Sequence, residues 1–290
     1  MAPLCLAVDI GGTKMAAALV DADGSLEHDA HVPTPQGDAQ EVFAALAGLI
    51  GDVSANTSGR PLSVCGVGCG GPMEPGGETV SPLNIPGWRG FPLRDRLAEL
   101  TGLPTAVDND AKALALGERW KGAAAGCDNF LAMVVSTGVG GGIVLDGRLL
   151  DGRLGNAGHV GHVVVEPDGR PCSCGGFGCL EAEASGSAIA AVTGRPPAEA
   201  GPEVIARTGT LVGRAVASVV NLLDLDLAVV AGSVALGFGE PFFAAARIEL
   251  ARHARMSFSA EARIEPAGLG PHGPLVGAAA VGWRHLEARR

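Results

Sequence analysis

Two stretches of this chain open in the same way, and that repetition limits the folds available to it. Residues 4–10 are an apolar run ending in Gly11-Gly12-Thr13; residues 15–20 follow, and Asp21-Ala22-Asp23-Gly24 closes the pair with a turn. The order restarts near Gly126: residues 130–136, then Thr137-Gly138-Val139-Gly140-Gly141-Gly142, then 143–145 and the turn Asp146-Gly147. Short apolar runs bounded by Gly and Asp read as hairpins. The period is too long for a solenoid. Helical spacing appears over 41–51, 91–101, 111–120, 211–223, 241–254 and 274–286, and strand-like runs over 62–68, 105–107 and 227–230. Strands alternating with helices predict α/β layers in two lobes.

Composition narrows the class. A length of 290 residues with 47% hydrophobic content is enough for two cored lobes. No apolar run approaches the roughly 20 residues that span a bilayer. The net charge of -10 argues against a general nucleic-acid or anionic-membrane surface, but leaves room for a local basic pocket. Seven cysteines are an odd number, and Met1-Ala2-Pro3 begins no charged and apolar leader. The expected setting is a reducing, cytoplasmic one without a disulfide framework.

Four patterns point to chemistry. The string from Gly161 to Glu181 holds His162, Cys172, Cys174 and Cys179, the soft and borderline donors of a structural Zn²⁺ site. Glycines between the cysteines let the chain fold back on one ion. The alternative is three buried thiols and an incidental histidine. The two glycine turns, with Thr13 and Thr137, can cradle phosphates through backbone N–H groups; each by itself also reads as a plain tight turn. Neither is a P-loop or a Rossmann fingerprint. Asp9, just before the first turn, can hold Mg²⁺ or simply satisfy turn amides. Asp108-Asn109-Asp110 precedes an Ala/Leu-rich helix, so helix capping and general-base chemistry both suit it.

Together, D-I-G-G-T-K (Asp9 to Lys14), G-C-G-G-P (Gly68 to Pro72), D-N-D-A (Asp108 to Ala111) and S-T-G-V-G-G-G (Ser136 to Gly142) resemble the sugar kinases of the actin/hexokinase/Hsp70 ATPase superfamily. The Cys/His cluster, with Gly-His before it and Leu-Glu after it, resembles the ROK family (repressors, open reading frames, kinases). The resemblance covers essentially the whole chain. It implies a two-lobed actin-like, ribonuclease H-like fold with the active site in the interlobe cleft. The lobes would be 1–120, joined by the C-terminal helix 274–290, and 121–273. It also implies an ATP- and Mg²⁺-dependent hexose kinase, glucokinase-like, with Asp110 as the base for the sugar 6-hydroxyl. Asp9, Gly11, Gly12, Thr13, Lys14, Thr137, Gly138, Gly232 and Ser233 would surround the nucleotide and metal ion. Gly71, Asn84, Asn109, His159, His162 and Glu181 would contact the sugar, and His162 with the three cysteines would hold Zn²⁺. A homodimer or higher homo-oligomer is implied, with no nucleic-acid or membrane partner.

One position departs from the pattern. The family string A-G-E-x-G-H is here A-G-H-V-G-H, so His159 replaces a glutamate. A carboxylate accepts two hydroxyl bonds, whereas neutral imidazole donates one and accepts one. That puts glucose in question. N-acetylmannosamine, mannose, fructose or allose are alternatives, as are a catalytically weak sugar-binding protein and a transcriptional regulator of the same family.

Overall fold

A computed structural model describes residues 2–289. Met1 and Arg290, which the expected lobes include, lie outside the described residues. The chain divides into two compact units: 1–121 with 151–157 and 271–290, and 122–150 with 158–270.

The first unit starts with β1 (Leu4–Ile10), β2 (Lys14–Asp21) and β3 (Leu26–Pro33), an antiparallel meander. α1 (Ala39–Ser54) follows, fixed at its start by a capping box between Asp38 and Glu41. Its buried Val42, Phe43, Leu46, Leu49, Ile50 and Val53 recur at helical spacing and face the sheet core. β4 (Leu62–Cys69), α2 (Leu93–Thr101), β5 (Thr105–Asn109) and α3 (Asp110–Lys121) complete this part. The sheet order is β3-β2-β1-β4-β5, with β1, β4 and β5 parallel.

The second unit repeats that plan. β6 (Phe130–Val135), β7 (Val139–Leu145) and β8 (Arg148–Leu149) form its meander. Short α4 (Leu180–Ala184) and α5 (Gly186–Thr193) lead to α6 (Pro202–Leu223), β9 (Leu227–Ala231), α7 (Ser233–Phe238), α8 (Glu240–His253) and β10 (Arg263–Pro266). The order is β10-β9-β6-β7-β8, with β6, β9 and β10 parallel. Its core is one cluster, including Leu131, Met133, Val212, Val216, Val230 and Phe242. The last helix, α9 (Gly273–Glu287), packs on α3, β4 and β1 of the first unit. Among the described residues, no helix is long and apolar enough to cross a membrane.

Candidate active site and metal centre

Register places the first group of residues. Asp9 pairs with Gly68, and Gly68 with Asp108, across the parallel strands β1, β4 and β5. One step further, Ile10, Cys69 and Asn109 form the next row. The carboxyl ends of these strands thereby gather Asp9, Asp108, Asn109 and Asp110 at one edge, where open α/β sheets bind ligands. Asp110 is the first residue of α3. Its Oδ1 accepts the Ala111 N–H at 2.8 Å, and Asn109 Oδ1 accepts the same N–H at 3.1 Å. Both side chains therefore do cap the helix. The cap also orients the Asp110 carboxylate.

Asp9 sits close enough to feel Asp110. Burial pushes its carboxyl up to about 7, the Asp110 charge adds to this, and Lys14 opposes it. A pair of oxygen donors that repel each other in this way fits a hard divalent cation. The glycines expected around the ligands lie beside their partners. A Cβ on Gly12 would stand 2.3 Å from Asn84 Cβ, and one on Gly71 would stand 3.4 Å from Asn109 Nδ2. Gly11 N–H donates to Lys14 O at 3.0 Å, closing the first turn, and Thr13 and Lys14 are exposed there.

Sequence reasoning passed over Lys112 and Asp151. Lys112 is buried, and its Nζ lies 3.0 Å from Asp108 Oδ1, 2.7 Å from Asp151 Oδ1 and 3.2 Å from Gly155 O. It ties α3 to the end of β5 and to the segment 151–157. Burial raises the Asp108 pKa, and Lys112 opposes that rise. The available signal was that Lys112 is one of only three lysines and follows Asp108 by one helical turn.

The second unit carries the other glycine turn. Ser136 N–H donates to Gly138 O at 2.9 Å, where Val135 pairs with Val139. Ser136 Oγ is 2.9 Å from Ser233 Oγ, and Gly232 caps α7 with a φ of 101°. Thr137 and Ser233 share a cavity of about 580 Å³ with Ser187, Pro197, Val234 and Phe238. A hydroxyl rim over an apolar wall suits a nucleoside.

The four expected metal ligands converge. The donor atoms of His162, Cys172, Cys174 and Cys179 all lie within 4.8 Å of one another. Cys174 and Cys179 Sγ are 3.7 Å apart, and Cys172 Sγ is 3.6 Å from His162 Nδ1. Bonds of about 2.3 Å to sulfur and about 2.1 Å to nitrogen, at tetrahedral angles, require about 3.8 and about 3.6 Å. The sulfurs are far outside the ~2.05 Å of a disulfide. The donor set therefore fits Zn²⁺. Cys172 N–H donates to Gly176 O and Gly175 N–H to Cys172 O, curling the loop. Gly178, at φ 65°, has no room for a side chain: a Cβ there would lie 1.5 Å from Glu166 O.

His159 and Glu181 flank this centre. His159 is exposed, and its ring centroid lies 6.2 Å from that of His162, tilted by 18°. Glu181 Oε2 accepts the Val139 N–H at 2.9 Å. The residue expected at the sugar thus also braces the glycine turn, a role the motif alone did not show.

Comparison with known proteins shows the family. The model of the ROK family matches residues 5–284. An N-acetylmannosamine kinase of Escherichia fergusonii is 37% identical over 250 residues, covering 81% of this chain and 84% of that protein. The crystal structure of a ROK hexokinase from Thermus thermophilus has a TM-score of 0.86 at 33% identity, covering 98% of this chain and 99% of that one. A ROK family glucokinase from Streptomyces griseus, solved with glucose and AMPPNP, has a TM-score of 0.84 at 31% identity, covering 97% and 99%. The fold is the two-domain α/β fold of ROK sugar kinases, related to actin, and this chain belongs to the ROK family.

Proposed function

We propose that the chain is an ATP-dependent sugar kinase that phosphorylates the 6-hydroxyl of N-acetylmannosamine. The carboxylate edge of β1, β4 and β5 carries the kinase reading. Asp110, oriented by its cap, accepts the proton of the sugar hydroxyl as that oxygen bonds to the γ-phosphorus and the bond to the ADP oxygen breaks. Asp9 would hold Mg²⁺, whose charge offsets that of the phosphates. The glycine turn at Gly11 to Lys14, with Thr137, Gly138, Gly232 and Ser233, would bind the nucleotide. Asn84, Asn109 and Gly71 would line the sugar, together with His159, His162 and Glu181 from the Zn²⁺ loop.

His159 supports the N-acetylated sugar over glucose. An acetamido group offers one donor and one acceptor, and neutral imidazole offers the complementary pair. A carboxylate in that place only accepts, which suits hydroxyls and repels an acetamide oxygen. The curated relative of 37% identity named above is an N-acetylmannosamine kinase, which points the same way. The test is ADP release with ATP and Mg²⁺ across N-acetylmannosamine, glucose and mannose. The highest kcat/KM should come with N-acetylmannosamine. A tenfold preference for glucose would return the reading to a glucokinase.

A further inference from the structure

α9 brings Arg284 and His285 to a cavity of about 500 Å³ in the first unit. That volume is suited to a small metabolite. Arg94 of α2 and Arg153 of the segment 151–157 also line it. Arg153 is exposed and, among the described residues, has no ion-pair or hydrogen-bond partner. Arg284 reaches Asp151 only at 3.6 Å. The carboxylate partners of Arg94, Glu78 and Asp95, are themselves 63% and 67% exposed, so those pairs are weak. Of the three lining carboxylates, Asp108 and Asp151 are already engaged by Lys112, which leaves Glu74. The His285 imidazole is held below its usual pKa by burial first, and then by the nearby Arg289 and Arg94. Three guanidinium forks around one small cavity stand out in a chain with a net charge of -10. Their planar donors match phosphate oxygens two at a time.

We propose that this cavity is a second ligand site, sharing only Asp108 with the carboxylate edge, that binds the dianion of a small phosphomonoester or of inorganic phosphate. Arg153 and Arg284 grip the phosphate oxygens, and the remaining space accommodates an ester group. The site does not depend on which sugar is phosphorylated. The test is the thermal midpoint of the full chain at low ionic strength, titrated with glucose 6-phosphate and, separately, with inorganic phosphate. Both should stabilise the parent protein. Tighter apparent binding of glucose 6-phosphate would identify the ester as the ligand, and equal binding the free ion. Arg153→Glu removes an exposed, unpartnered side chain, so the fold is kept. It should weaken the apparent affinity at least about tenfold, and Arg284→Ala should do the same. Thr137→Ala, in the glycine turn of the second unit, should leave the response intact. The proposal is overturned if the parent does not respond, if Arg153→Glu responds like the parent, or if Thr137→Ala loses the response to the same extent.

Discussion

The two sheets share one topology and differ in the chemistry at the carboxyl ends of their central strands. In the first, β1 ends in Asp9, and β5 runs through Asp108 into Asn109 and Asp110. In the second, the corresponding turn is Ser136-Thr137-Gly138, and β9 runs into Gly232 and Ser233. At the first edge, burial first and then the Asp110 charge raise the Asp9 pKa. The second offers neutral hydroxyls and N–H groups beside an apolar cavity. A duplicated scaffold thus supplies two similar platforms, and a few residues at the strand ends give one carboxylates and the other neutral hydroxyl and N–H groups.

The sharpest way to break this contrast is at Asp110. Asp110→Asn retains a side-chain oxygen for the Ala111 N–H, so the fold should persist while kcat falls about 10²–10⁴-fold. Thr137→Ala in the second unit should lower turnover far less. Steady-state kinetics on both variants decides this, and equal losses would remove the distinction between the two edges.

Metal removal should act on the second unit alone. Structural Zn²⁺ contributes on the order of 10 kcal/mol in peptide hosts. Cys174→Ser should abolish stoichiometric zinc by elemental analysis and raise the KM for sugar about 100-fold or more, as His159 and Glu181 lose their support. Hydrogen exchange should quicken across 159–183 while β1, β4 and β5 keep their protection. Native protein purified without zinc would contradict the assignment.

Exchanging an imidazole for a carboxylate beside the candidate Zn²⁺ ligands sharpens the contrast further. His159→Glu should move the ratio of kcat/KM values from N-acetylmannosamine towards glucose by about ten- to a hundredfold, the value of a polar contact of about 1–3 kcal/mol. An unchanged ratio would mean that the imidazole does not read the sugar.

The smallest effect concerns pH. The folded-state pKa of Asp9 is raised from 3.8 to about 7. Its protonated form is therefore favoured by folding: the stability it contributes is fully present below the unfolded value and is lost as pH rises through about 7. In metal-free protein, Asp9→Asn should raise the melting temperature by a few degrees at pH 8 and scarcely change it near pH 4. Calorimetry at the two pH values checks the sign, and excess Mg²⁺ with nucleotide should narrow the difference.

Much of this was legible in the residues. Buried strands such as β1, β4, β6 and β9 are near-continuous apolar runs, and the Cys/His string marked all four donors before their distances were known. β3 went unread because its positions alternate between half-buried and exposed, with Glu27, Asp29 and His31 on the open face. The first nine residues of α6 were also missed. Thr208-Gly209-Thr210 looks like a break by propensity, yet tertiary packing keeps the helix going. Gly209 lies against α8 so closely that a Cβ would stand 2.3 Å from Phe242 O. Asp151 could not be found from spacing, because its partner Lys112 is 39 residues away in the chain.

The placement of α9 has a consequence for the order in which the protein matures. Residues 122–270 contain the whole of the second unit, so that unit can close while the chain is still being made. The first unit lacks a wall until 273–287 arrive to cover β1, β4 and α3. N-terminal domains ordinarily complete first during synthesis. Here the edge bearing Asp9 and Asp110 lies in a unit whose wall is supplied by residues 273–287, so it gains full support only once that helix docks.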